Sequence, residues 1–106
     1  MDEDAVFHAL ADASRRALLD ALRARDGRTL AELCEGRDMS RQAVSKHLGV
    51  LEAANLVATL RRGREKLHFL NPVPIHAIAE RWIAKFERPA LDALADLKRN
   101  LEGENP

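Results

Sequence analysis

The residues best suited to chemistry fall into two clusters. The first is Ser40, Arg41, Gln42, Ser45, Lys46 and His47. Arginine and glutamine can each make paired hydrogen bonds to a base edge, arginine to guanine and glutamine to adenine. A serine hydroxyl and the free backbone N–H groups of a helix start can meet a phosphate. His47 lies near enough to assist there. The second cluster is Arg61, Arg62, Arg64 and Lys66, four cations within six residues. Cations at that density suit a phosphate backbone, where charge neutralisation dominates affinity. The plainer readings are a solvated helix face with a capping serine, and a strand edge guarded by its charges. Helix and charged edge together favour double-stranded DNA as the partner.

The elements that position these clusters follow from periodicity and capping. Residues 4–11 place Val6, Phe7, Leu10 and Ala11 on one face of a short helix. Asp12 can cap a second helix that runs to about Arg25, with Leu18, Leu19 and Leu22 inward and Arg15, Arg16, Asp20 and Arg23 outward; Asp26-Gly27 ends it. Thr29-Leu30-Ala31-Glu32 is a capping box opening a short third helix over about 30–35, with Leu30 and Leu33 inward. Ser40 then caps a helix over about 41–54 whose inward residues are Val44, Leu48 and Leu51, with Asn55 as a left-handed terminator. Two runs flank Gly63-Arg64, which reads as a hairpin with a type II′ turn. That register pairs Leu60 with Leu67 and Ala58 with Phe69 on an apolar face, and Arg61 with Lys66 and Thr59 with His68 on a polar one. The apolar face is expected to lie on the helical core. The like-charge pair Arg61 and Lys66 costs the hairpin stability, a cost that a phosphate backbone would offset.

After Asn71-Pro72-Val73-Pro74, a helix from about Ile75 places Ile78, Trp82, Ile83 and Phe86 inward. Pro89 kinks or ends it, and the pattern resumes through Leu91, Leu94, Leu97 and Leu101, with a loose tail after Glu102. The architecture is mainly α with a small two-stranded hairpin, in the order α-α-α-α-β-β-α. The third and fourth helices with the hairpin behind them form a winged helix-turn-helix. Phe7, Leu10, Trp82, Phe86, Leu94, Leu97 and Leu101 exceed what one small core can bury, which points to a homodimer joined through helices at about 4–11 and 75–101.

Composition agrees. The 106 residues make one domain, spanning 1–106. Ala (18) and Leu (16) far outnumber Val, Ile and Thr (10 together), which favours helix over an all-β fold. The formal net charge of zero hides a gradient: −4 over residues 1–12, +5 over 13–70 and −1 over 71–106, so the bases gather where the two clusters sit. No apolar run is long enough for a membrane span, and the acidic start is unlike a signal peptide, so a cytoplasmic location is expected. One cysteine, Cys34, excludes an internal disulfide and any multi-cysteine zinc site. Cys34 reads as a small buried hydrophobe, with a redox-sensing thiol or an intersubunit ligand as the alternatives. His8, His47, His68 and His76 are scattered and read as packed or solvated rather than as ligands, so neither a metal nor a cofactor is expected. No nucleophile–base spacing, phosphate loop or carboxylate pair supports an enzyme. A winged helix that contacts protein instead of DNA would carry an apolar patch on its fourth helix, where Arg41, Gln42, Ser45 and Lys46 stand instead.

Residues 9–19, the run Ser40-Arg41-Gln42-Ala43-Val44-Ser45-Lys46-His47-Leu48, and Leu51-Glu52-Ala53-Ala54-Asn55-Leu56-Val57 before the hairpin resemble the ArsR/SmtB family of winged-helix transcription factors, over about residues 5–87. The family's usual Asp-Pro-Thr-Arg-Arg is Asp12-Ala13-Ser14-Arg15-Arg16 here. The resemblance implies a homodimer on an inverted-repeat operator, usually a repressor, with the first and last helices at the dimer contact. It names no effector. The Cys-x-Cys of one metal-sensing group is reduced to Cys34 alone. The Asp-x-His set of another is absent, since His76 has Pro74 two residues before it.

Overall fold

The computed structural model describes residues 2–103, leaving out the side chains of residues 88–90. Its contacts divide the chain into two compact units, one up to Ile75 and one from His76 onward.

The first unit begins with α1 (Glu3–Leu10), α2 (Ala13–Ala24), α3 (Leu30–Cys34) and α4 (Arg41–Ala53). Each starts on a side-chain cap that satisfies otherwise orphaned backbone N–H groups. Asp2 accepts from the Ala5 amide at 3.1 Å. Asp12 accepts from the amides of Ser14 (2.8 Å) and Arg15 (3.1 Å). Thr29 and Glu32 form the reciprocal capping box, at 3.2 and 3.0 Å. Ser40 Oγ accepts from the Ala43 amide at 3.1 Å. All of these caps but the one at Asp2 are expected from sequence. α4 ends as expected on Asn55 in the left-handed region, φ +62°. The Leu56 amide returns to the Leu51 carbonyl (2.9 Å) and the Asn55 amide to that of Glu52 (3.0 Å), a complete Schellman closure. Leu51 and Leu56 are both fully buried, and with Leu18, Leu22, Leu33 and Val44 they form the centre of the core. Each such side chain contributes about 1.5–3 kcal/mol by leaving water.

The hairpin is β1 (Val57–Arg62) and β2 (Glu65–Leu70), with the expected register from Val57 opposite Leu70 to Arg62 opposite Glu65. Gly63 takes φ +64° while Arg64 does not enter the positive-φ region, as a type II′ turn requires. Neither face turns wholly inward: on the expected apolar face Ala58 and Leu60 are exposed and Leu67 and Phe69 half-buried, and on the other only Val57 and His68 are buried. Leu60 is 59% exposed, whereas His68, from the polar face, is 4% exposed. The reason is a third strand-like segment that the hairpin alone does not reveal. Gly27 donates its amide to the His68 carbonyl (2.8 Å), and the His68 amide donates to the Arg28 carbonyl (2.9 Å). His68 Nδ1 donates to that same carbonyl at 2.9 Å, and Asp26 Oδ1 accepts from the Leu70 amide at 2.8 Å. These bonds satisfy the buried imidazole and tie the hairpin to the α2–α3 loop.

α5 (Val73–Arg81) starts two residues earlier than the sequence pattern places it. Asn71 Oδ1 accepts from the Val73 amide at 3.2 Å, and Pro74 lies in the first turn, where a missing N–H is harmless. In the second unit the expected long helix is broken. A 3₁₀ turn, Ile83–Phe86, separates α5 from α6 (Arg88–Gly103). Pro89 falls in the first turn of α6, so the break precedes it. Of the four residues expected inward, only Ile78 is buried; Trp82, Ile83 and Phe86 are exposed. Trp82 and Phe86 meet in a tilted arrangement, with ring centroids 4.9 Å apart and planes at 59°, and Lys85 Nζ lies 5.6 Å from each ring centroid. Leu91, Leu94, Leu97 and Leu101 are all exposed along α6. The expectation for the tail after Glu102 lies, past Gly103, outside the described residues.

Candidate nucleic-acid interface

Ser40, Arg41, Gln42, Ser45 and Lys46 are all exposed at the N-terminal half of α4. Two surfaces meet along this helix. Ser40, Gln42, Ala43, Ser45 and Lys46 border a shallow depression. Arg41, Ser45, Leu48 and Glu52, at helical spacing, form one wall of a cleft of about 380 Å³. Thr29, Leu30 and Ala31 form a second wall, and Arg64, Glu65, Lys66 and His68 of the hairpin a third. The recognition-type helix and the hairpin therefore open onto one space, with Ser45 on both surfaces.

The four hairpin cations differ. Among the described residues Arg61, Arg62 and Arg64 make no ion pair, and all three are exposed. Lys66 is already engaged: its Nζ lies 3.0 Å from Glu52 Oε1 on α4, with the side chains 45% and 29% exposed. This pair bridges the hairpin and α4. It also relieves part of the like-charge cost of Arg61 opposite Lys66.

His47 stands apart from its neighbours on α4. It is half-buried, and its Nδ1 lies 3.3 Å from Arg15 Nη1. Arg15, expected to face outward, is buried at 9% exposure. Burial of its guanidinium is satisfied by donation from Nε to the Ala9 carbonyl (2.8 Å) and from Nη2 to the His8 carbonyl (2.9 Å). The carboxyl of Asp12, 3.9 Å from Arg15 Nη1, is held below its ordinary range chiefly by the Arg15 amide it accepts from, with the Ser14 amide and the charge of Arg15 adding to this. Glu32 is likewise held low, first by the Thr29 amide and hydroxyl and then by Arg25, with which it pairs.

Sequence reasoning missed Arg15, Glu52 and the segment 26–28. A signal for two of these existed. Arg15 completes the inward spacing 15, 18, 19, 22, and Glu52 continues the cleft-facing spacing 41, 45, 48. Cys34 is a free thiol of intermediate exposure, not the small buried hydrophobe expected. Among the described residues no group of three His, Cys, Asp or Glu side chains could hold a metal ion, and no helix is long and apolar enough to cross a membrane.

A helix-turn-helix with a two-stranded hairpin behind it is the architecture of winged helix-turn-helix DNA-binding regulators. Residues 10–59 match the family model for a helix-turn-helix domain. The chain is 39% identical over 88 residues to the uncharacterized HTH-type transcriptional regulator YuzN of Bacillus subtilis, covering 77% of this chain and 96% of that one. It is 33% identical over 66 residues to the transcriptional repressor SdpR of Bacillus subtilis, covering 62% of this chain and 72% of SdpR. The crystal structure of the ArsR family transcriptional regulator RHA00566 superposes with a TM-score of 0.70 at 33% identity, covering 77% of this chain and 88% of that one. The protein belongs to the ArsR family of helix-turn-helix transcriptional regulators. Its relatives and its fold are those of transcription regulators, not of enzymes.

Proposed function

We propose that the protein is a cytoplasmic, homodimeric repressor that binds an inverted-repeat DNA operator. Ser40, Arg41, Gln42, Ser45 and Lys46 enter the major groove at the N-terminal half of α4, and Arg61, Arg62 and Arg64 meet the phosphate backbone or the minor groove. The observation that carries this reading is the shared cleft: Arg41 and Ser45 of the exposed helix start open onto one space with Arg64 of the hairpin, which makes no ion pair among the described residues. The repressor assignment is supported by the likeness to SdpR. The dimer is supported by the exposed apolar side chains Phe7 on α1 and Trp82, Phe86, Leu94, Leu97 and Leu101 beyond residue 75; Leu10, on α1, is half-exposed. Fluorescence anisotropy with duplexes tiled across the region upstream of its own coding sequence tests the reading. Saturable binding to one duplex, at least about a thousandfold tighter than to a scrambled duplex, is expected of a specific regulator. Equal binding to all duplexes, or none, would refute it.

A further inference from the structure

We propose that His47 is a positioning residue for α4. It acts as the neutral acceptor of a hydrogen bond from the buried Arg15, and this makes DNA binding fall as the ring gains a proton. The inference rests on the DNA-binding reading above. Arginine has five N–H donors, no acceptor, and is always charged. In the contact between Arg15 Nη1 and His47 Nδ1 at 3.3 Å, the arginine must therefore donate. That leaves His47 neutral, with its proton on Nε2. The same guanidinium donates to the carbonyls of His8 and Ala9, in the last turn of α1; the His8 carbonyl also accepts from the Ala11 amide at 3.2 Å. One rigid planar fork thus joins the end of α1 to the middle of α4. His47 lies beside Ser45 and Lys46 in the chain, so a tie at position 47 sets the rotation of α4 about its axis and the aim of those exposed side chains.

A proton on His47 Nδ1 would set donor against donor and cation against cation. The charged groups facing the ring are Arg15 of α2 and Asp12 at the α2 cap; His8 of α1 faces Arg15 with its carbonyl. Elsewhere around α4, Glu32 of α3 is held by Thr29 and Arg25, and Arg61 and Arg62 of β1 lie on the hairpin. With Nδ1 protonated the ring can no longer accept from Arg15, so α4 loses this tie. A histidine that instead met phosphate directly would respond with the opposite sign, gaining affinity as it gained charge.

The test compares wild type, His47→Gln and His47→Ala by anisotropy on the best upstream duplex and on its scrambled counterpart, at about pH 7.5 and about pH 5.5. Glutamine keeps an acceptor for Arg15 and does not titrate. At the higher pH, His47→Gln is expected within about twofold of wild type, and His47→Ala about tenfold weaker, the range for losing a hydrogen bond to a charged group. On acidification wild type should lose about tenfold relative to His47→Gln. A wild type that gains on His47→Gln as pH falls, or glutamine and alanine variants that behave alike, would overturn the proposal. The side-chain nitrogen spectrum of the DNA-free protein at neutral pH reads the tie without DNA. A proton on Nε2 of His47 is expected, and a proton on Nδ1 would refute the tie even if the DNA-binding reading stands.

Discussion

The hairpin cations should not contribute equally to DNA binding, and the Lys66–Glu52 pair predicts by how much they differ. Each phosphate contact lowers the slope of log affinity against log salt by about 0.9. Arg64 makes no ion pair among the described residues, so Arg64→Ala should reduce the slope by about 0.9 per subunit, or about 1.8 in a two-fold dimer. Between 50 and 200 mM salt that difference amounts to about twelvefold in affinity. Lys66 Nζ sits 3.0 Å from Glu52 Oε1, its charge already neutralised within the protein. Lys66→Ala should therefore change the slope by less than about 0.3 per subunit. Glu52→Gln should free Lys66 for phosphate and steepen the slope by up to about 0.9 per subunit, raising affinity for scrambled DNA as much as for the operator. The pair is too exposed to matter much for folding, at about 0–1 kcal/mol, so all three variants should melt close to wild type. The assay is a salt titration of each variant by anisotropy on specific and scrambled duplexes. A slope lost in Lys66→Ala as large as that lost in Arg64→Ala, or a Glu52→Gln slope equal to wild type, would refute the reasoning.

Gln42→Ala, at the exposed helix start, should relax preference at particular base pairs by about 1–3 kcal/mol, read from a panel of single-base operator variants. Leu51→Ala, at a fully buried position, should lower unfolding free energy by about 2–5 kcal/mol in urea titrations. Asp12 has a folded pKa below its ordinary 3.8, so its carboxylate stabilises the fold above that pH and the contribution is lost as pH falls through the lowered value. Thermal melts of wild type and Asp12→Asn should accordingly differ most near neutrality and converge below that value, and a difference constant with pH would contradict this. Leu94→Glu with Leu97→Glu should give a monomeric mass by light scattering at micromolar concentration while leaving the buried core of the first unit intact.

What the sequence made legible was local. Caps at Asp12, Thr29 and Ser40, the left-handed Asn55 and the Gly63-Arg64 turn each depend on a few adjacent residues, and each stands where capping and turn chemistry put it. The hairpin register follows from the turn alone. What stayed illegible was polar and distant. Arg15 meets His47 across 32 positions and His68 meets Arg28 across 40, so no local rule announces either bond. A buried polar side chain is bought only with a partner in hand, and the partner is a property of the fold. Hence charge alone sent Arg15 outward and His68 to the solvent face, although Arg15 at least sits on an inward stripe.

The second unit shows the converse. There the apolar pattern from Ile75 to Leu101 is regular, yet the helix breaks at Ile83–Phe86, and the leucines of α6 are exposed. Periodicity reports which side chains gain by leaving water, not what will cover them. In the first unit the cover is the chain itself, and the inward stripes of α2 and α4 close on one core. In α6 the same kind of stripe has no buried leucine among the described side chains. The two exceptions to simple patterning thus have one cause. Burial is decided by contacts remote in sequence, as Arg15 and His68 show, and those contacts are not written in the local period.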